Sequence, residues 1–179
     1  DWQLKRALAV NADLVTVMAG SNDLTVAPEK LPELRDIYRD GLQQLIDSGS
    51  DVIIANTINP LHLRVFKPLR YRAERMSDLI TGLGHEFNLP VLDLYGIEHF
   101  SDLCFWADDM VHFSGHGHVK VANEAAKLLD LKYRFREAEH YERLAPVRGV
   151  KETLRWIHKD VIPFTHRKLK GVTSGDGMS

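Results

Sequence analysis

Asp13-Leu-Val-Thr-Val-Met-Ala19 is a near-continuous run of strand formers that stops abruptly at Gly20-Ser-Asn-Asp23. An apolar run of this length, without polar alternation, predicts a strand covered on both faces in a parallel sheet. Two further runs follow, Asp51-Val-Ile-Ile-Ala-Asn56 and the shorter Pro90-Val-Leu-Asp-Leu94. Helical periodicity fills the gaps. Leu31, Leu34, Tyr38, Leu42 and Leu45 recur within 28–48 up to a stop at Gly49, and Met76, Leu79, Leu83 and Phe87 line one face of 68–87. Strand and helix alternate, so the chain is expected to form an α/β fold, a three-layer α/β/α sandwich around a parallel sheet. Ligands in such folds bind beyond the carboxyl ends of the strands.

Outward from this centre, residues 1–10 set Trp2, Leu4, Leu8 and Ala9 among Lys5 and Arg6, the pattern of a surface helix. Ser114 is placed to cap a helix running to about Leu131, carried by Val119, Ala122, Ala126 and Leu129. Beyond it the character changes. Residues 133–141 are charged and predicted helical, Ala145-Pro-Val-Arg-Gly149 breaks the pattern, and 151–170 is amphipathic with Trp156, Ile157 and Val161. The expected organisation is one domain over 1–131, a C-terminal helical appendage over 132–170, and a disordered tail over 171–179.

The 179 residues are 44% hydrophobic and 27% charged, enough to bury a core, and contain no apolar run of membrane-spanning length. A net charge of −2 removes any whole-chain electrostatic case for nucleic acid or an anionic membrane. The single cysteine, Cys104, lies between Leu103 and Phe105 and reads as a small buried hydrophobe. It cannot form an internal disulfide, which suits a reducing, cytoplasmic setting. Secretion stays open, because the chain starts without Met inside what reads as the body of a helix.

The chemistry gathers in Trp106-Ala-Asp-Asp-Met-Val-His-Phe-Ser-Gly-His-Gly-His118. Asp109 stands three residues before His112, so in one tight turn the two side chains can meet. A carboxylate on one ring nitrogen fixes the tautomer and leaves the other nitrogen free to take a proton. Asp108, four before His112, could also reach it. Three other readings compete. Asp109 could simply cap a helix beside a surface histidine. His112, His116 and His118 could ligate a metal, but Gly115 and Gly117 disfavour a rigid helical site and no Glu follows His112. His116 and His118 read best as the polar start of the following helix, and no metal or cofactor is expected. Upstream, Gly20-Ser-Asn-Asp23 offers Asn22, whose NH₂ can donate to an oxygen that gains charge during acyl transfer. By itself that tetrapeptide is also an ordinary turn.

Together these residues resemble the SGNH (GDSL-type) hydrolase family. Its Gly-x-Asn-Asp block is matched by Gly20, Ser21, Asn22 and Asp23, and its Asp-x-x-His block by Asp109 and His112, with Ser114, Gly117 and His118 filling the places that follow. The resemblance covers roughly residues 10–130. It implies a flavodoxin-like sandwich, hydrolysis of a small-molecule carboxylic ester, His112 as general base, Asp109 as its orienter and Asn22 as oxyanion donor. The family's Gly-Asp-Ser block, which carries the nucleophilic serine, occurs nowhere in the chain; Ser174-Gly-Asp-Gly177 has the wrong order. The expectation is therefore a domain missing its N-terminal strands, with the serine on a segment outside these residues that partners this one. An acyltransferase with the same triad, and a non-catalytic binding module of the same fold, remain alternative readings.

One stretch bears on substrate charge. Arg64, Lys67, Arg70, Arg72 and Arg75 face a single acid, Glu74, over 62–75. A solvated loop and helix start accounts for them; the sharper alternative is a rim that favours anionic esters.

Overall fold

The computed structural model describes residues 2–25, 27–59, 67–98, 100, 102–137, 150–163 and 166. The predicted tail and Arg64 lie outside the described residues, as do residues 138–149. In chain order the elements are α1 (Trp2–Val10), β1 (Leu14–Met18), α2 (Leu31–Asp47), β2 (Asp51–Ala55), α3 (Lys67–Phe87), β3 (Val91–Leu92), α4 (Gly115–Leu128) and α5 (Val150–Trp156). The fold is α/β. Its three described strands form one parallel sheet in the order β1-β2-β3. Leu14 pairs with Asp51 through to Met18 with Ala55, and Ile54 and Ala55 pair with Val91 and Leu92.

Consecutive parallel strands joined by right-handed crossovers put successive helices on the same face of the sheet. The core bears this out. Leu42 and Leu45 of α2 and Met76, Ile80 and Leu83 of α3 are buried together against Val52 and Ile54 of β2, and Leu4, Ala7 and Leu8 of α1 join from the side. Across the surface, Arg39 and Arg35 of α2 both grip Glu86 of α3, the former at 2.7 Å.

On the opposite face Ile53 and Ala55 are buried, while Thr16 and Met18, their neighbours in register, are exposed. Leu14 and Met18 are 44% and 52% exposed. The apolar run at 13–19 is thus covered on one face only. The expectation of two-sided burial fails for β1, because among the described residues nothing packs on its second face. α4 packs on β3 instead, at the other end of the sheet.

Three smaller expectations are corrected. β3 has two residues rather than five, since the chain turns away after Leu92 into the connection that leads to α4. α4 ends at Leu128, with Asp130 in a left-handed conformation (φ 51°). Residues 133–137 are not helical. They run extended because Asn123 of α4 holds them: its Nδ2 donates to the Phe135 carbonyl (2.9 Å) and its Oδ1 accepts from the Phe135 amide (2.7 Å). A two-way bond to a side-chain amide satisfies the backbone as a strand partner would, which removes the incentive to coil into a helix.

A second core forms beyond β3. Phe100, Cys104, Phe105, Trp106, Met110 and Trp156 are buried together, with Phe113 packed against them. Phe113 lies 5.2 Å from Phe100 and 5.5 Å from Trp106 between ring centroids, in tilted pairs of the kind aromatic quadrupoles favour. Trp156 comes from α5, whose last turn opens into a π-helix at Ile157–Val161.

Candidate active site

The sheet fixes where the functional loops begin. Asn56, buried at the carboxyl end of β2, donates from Nδ2 to Asp93 Oδ1 (2.7 Å) and accepts the Tyr95 amide on Oδ1 (3.0 Å). The exit from β3 is thereby tied to the exit from β2. After the aromatic segment the chain closes on itself: Trp106 and Phe113 form an antiparallel bridge. The Ala107 amide donates to the His112 carbonyl and the Met110 amide to the Ala107 carbonyl, each at 2.9 Å. Met110 sits at φ 60°, an unusual conformation for a residue with a side chain, and is held there with that side chain buried in the aromatic core.

At the tip of this loop the structure brings Asp109 and His112 together. His112 Nδ1 lies 2.6 Å from Asp109 Oδ2, while Asp109 Oδ1 accepts from the Val111 and His112 amides, both at 3.0 Å. Of the two aspartates that spacing allowed, Asp109 is the one that meets Nδ1. Partial burial works to raise the Asp109 pKa, but the hydrogen bonds from the His112 ring, the His112 amide and the Val111 amide outweigh it. They hold the carboxyl at about 2. The His112 side chain is 79% exposed, and its Nε2 has no hydrogen-bond partner among the described residues. The ring is thus held at Nδ1 and exposed at Nε2.

The helix that follows is anchored to the same loop. Ser114 accepts the Gly117 amide on Oγ (3.2 Å) as N-cap, donates that hydroxyl to the Cys104 carbonyl, and gives its own amide to the Phe105 carbonyl (2.9 Å). A Cβ on Gly117 would stand 2.2 Å from the Phe105 carbonyl oxygen, so only glycine permits this approach. His116 and His118 lie in the first turn of α4, the latter edge-on to Phe113.

On the other side, β1 runs into a 3₁₀ turn at Ser21–Thr25. Gly20 has φ 98°, and a Cβ there would come within 3.0 Å of the Tyr38 hydroxyl. The Asp23 amide closes the turn on the Gly20 carbonyl (2.9 Å), and Arg72 of α3 clamps the Leu24 carbonyl (3.3 Å). Tyr38 reaches beneath it with its hydroxyl buried and without a partner among the described residues. That burial, aided by the Asp23 carboxylate, pushes the phenol well above its usual range. The backbone of Asn22 lies in this turn; its side chain is outside the described residues. Because the strands are parallel, the connections that carry Asn22 and the Asp109–His112 pair both leave from the carboxyl ends of the strands.

Two contributors escaped the sequence reading. Asn56 looked like the last residue of a strand, although a polar residue closing an apolar run is a signal of a role at a strand end. Trp156 reads in the sequence only as part of an amphipathic stretch, yet its Nε1–H donates to the Asp109 carbonyl at 2.8 Å; no local pattern links positions so far apart.

The chain thus pairs a parallel α/β sheet with a carboxylate-bound histidine on the loop beyond a strand. The chain belongs to the GDSL-like lipase/acylhydrolase family, which matches residues 3–125, and by family it is an ester hydrolase. Among solved structures it is similar to an acetylxylan esterase from Geobacillus stearothermophilus, with 18% identity and a TM-score of 0.61 over 76% of this chain and 67% of that one. It is also similar to an alpha/beta hydrolase enzyme from the metagenome of Lake Arreo, Spain, with 19% identity and a TM-score of 0.54 over 72% of this chain and 64% of that one. At these identities the likeness is one of fold. No curated protein matches the sequence. Among the described residues no helix is long and apolar enough to cross a membrane.

Proposed function

We propose that the protein hydrolyses a small carboxylic ester by a serine mechanism in which His112 is the general base. The observation that carries this is the 2.6 Å contact between His112 Nδ1 and Asp109 Oδ2, with Nε2 left open. His112 Nε2 takes the proton of a serine hydroxyl as the serine oxygen bonds to the ester carbonyl carbon. Asp109 holds the ring in the required tautomer and stabilises the imidazolium. Asn22 donates to the oxyanion. The tetrahedral intermediate collapses as the alcohol leaves with the proton from His112, and water then releases the acid by the same steps in reverse order.

The chain contains no Gly-Asp-Ser turn, so the mechanism draws its serine from a segment outside residues 1–179. The exposed face of β1 supports that reading, since Leu14 and Met18 offer apolar surface on the strand that leads to Asn22. The test is hydrolysis of an aryl acetate by protein carrying both parts. Changing His112 to Ala is expected to abolish turnover, and Asn22→Ala to lower kcat about a hundredfold with little change in folding. Unchanged kcat in the His112 variant would overturn the mechanism. Adding an alcohol acceptor to the same assay separates hydrolysis from acyl transfer.

A further inference from the structure

We propose that Trp156 is a positioning residue for the Asp109–His112 pair, and that α5 acts as a strap which sets the geometry of the base from outside the family-matched region. This rests on the reading of His112 as base. The family match ends at residue 125, whereas Trp156 lies well beyond it. Its indole is buried in the aromatic core with Met110, Phe105 and Trp106, and its Nε1–H donates to the Asp109 carbonyl at 2.8 Å.

That bond falls on the one carbonyl whose orientation matters most. The peptide that joins Asp109 to Met110 leads into the residue at φ 60°. Rotating it would carry the Asp109 side chain away from the two amides, Val111 and His112, that pin Oδ1. Within the loop the Ala107 and His112 carbonyls are already taken by loop amides. For the Asp109 carbonyl the indole supplies the donor, and a partly buried carbonyl that lost it would turn towards another donor. The indole therefore selects the peptide orientation in which the carboxylate faces the ring. Misplacement of a reacting group by about an ångström can cost on the order of a hundredfold in rate. A loosened Asp109 peptide should thus appear in turnover before it appears in substrate binding.

Two substitutions and two readouts test this. Trp156→Phe keeps an aromatic ring in the core and removes the N–H. Replacing Trp156 by benzothienylalanine, with sulfur in place of N–H, preserves the shape almost entirely. Both are expected to lower kcat about tenfold or more with KM within about twofold, by the same misplacement argument. Both should also broaden or abolish the downfield proton resonance of the His112 Nδ1–Asp109 hydrogen bond, which is read by NMR without turnover. Leu154→Ala, at an exposed position on the same helix, should leave both readouts unchanged. A sulfur isostere with native kcat and a native resonance would overturn the proposal. A His112→Ala variant that keeps full activity would instead overturn the reading of the base, so the two failures are distinct.

Discussion

Asp109 serves its own loop and its neighbour's ring at once, and its titration should report both. Its carboxyl is held at about 2 against an ordinary 3.8. A carboxyl with a depressed folded pKa contributes stability that is complete above the unfolded value and disappears as pH falls through the folded one. The contribution should therefore be full above about pH 4 and be lost by about pH 2. With its side chain 36% exposed, solvent screening keeps it modest. Asp109→Asn should lower stability in urea at neutral pH, and the gap to the parent protein should close across that acid window. A gap that stays constant down to pH 2 would mean that the carboxylate's charge adds nothing to the loop. The residues of this pair were legible in the sequence because they are three apart and local geometry alone brings them together. Trp156 was not, since its partner lies 47 positions away and only tertiary packing joins them.

At the scale of elements, the amino end of α4 combines a cap, a tether and a close approach. Ser114→Ala removes the side chain that caps Gly117 and tethers Cys104, and should cost about 1–2 kcal/mol in urea unfolding. Gly117→Ala pushes a methyl group into the Phe105 carbonyl and should cost more, about 1–3 kcal/mol, with local loss of the 105–114 contacts. If Gly117→Ala proved the milder of the two, the close approach would not be as tight as its geometry indicates. The cap was readable from Ser114 standing before an apolar period, and so were α1, α2 and α3. Residues 133–137 misled because charge with spaced aromatics is also what an extended edge looks like. Only the amide of Asn123, twelve residues upstream of its partner Phe135, decides between them, and it belongs to a different element.

For the molecule as a whole, the alternation of strand and helix was enough to set the class of fold, but it could not say which faces are covered. An apolar run carries no mark that distinguishes burial on two sides from burial on one. β1 leaves Leu14 and Met18 open beside the buried Ile53 and Ala55. In the 179-residue chain, changing both to Lys should leave stability within about 0.5 kcal/mol, as at exposed sites generally, and reduce concentration-dependent self-association in light scattering. A loss of 2 kcal/mol or more would show that this face is covered in solution. The loop that closes at the Trp106–Phe113 bridge has a different relation to the sheet. Asp109 and His112 hang from one short ring of backbone, closed by the Ala107–His112 and Met110–Ala107 hydrogen bonds and held from outside by the Trp156 indole. Asn22 rides on the end of another strand. When the sheet flexes, carboxylate and imidazole travel as passengers in one carriage and their spacing is spared. The distance that flexing changes is the one between that carriage and the turn of Asn22.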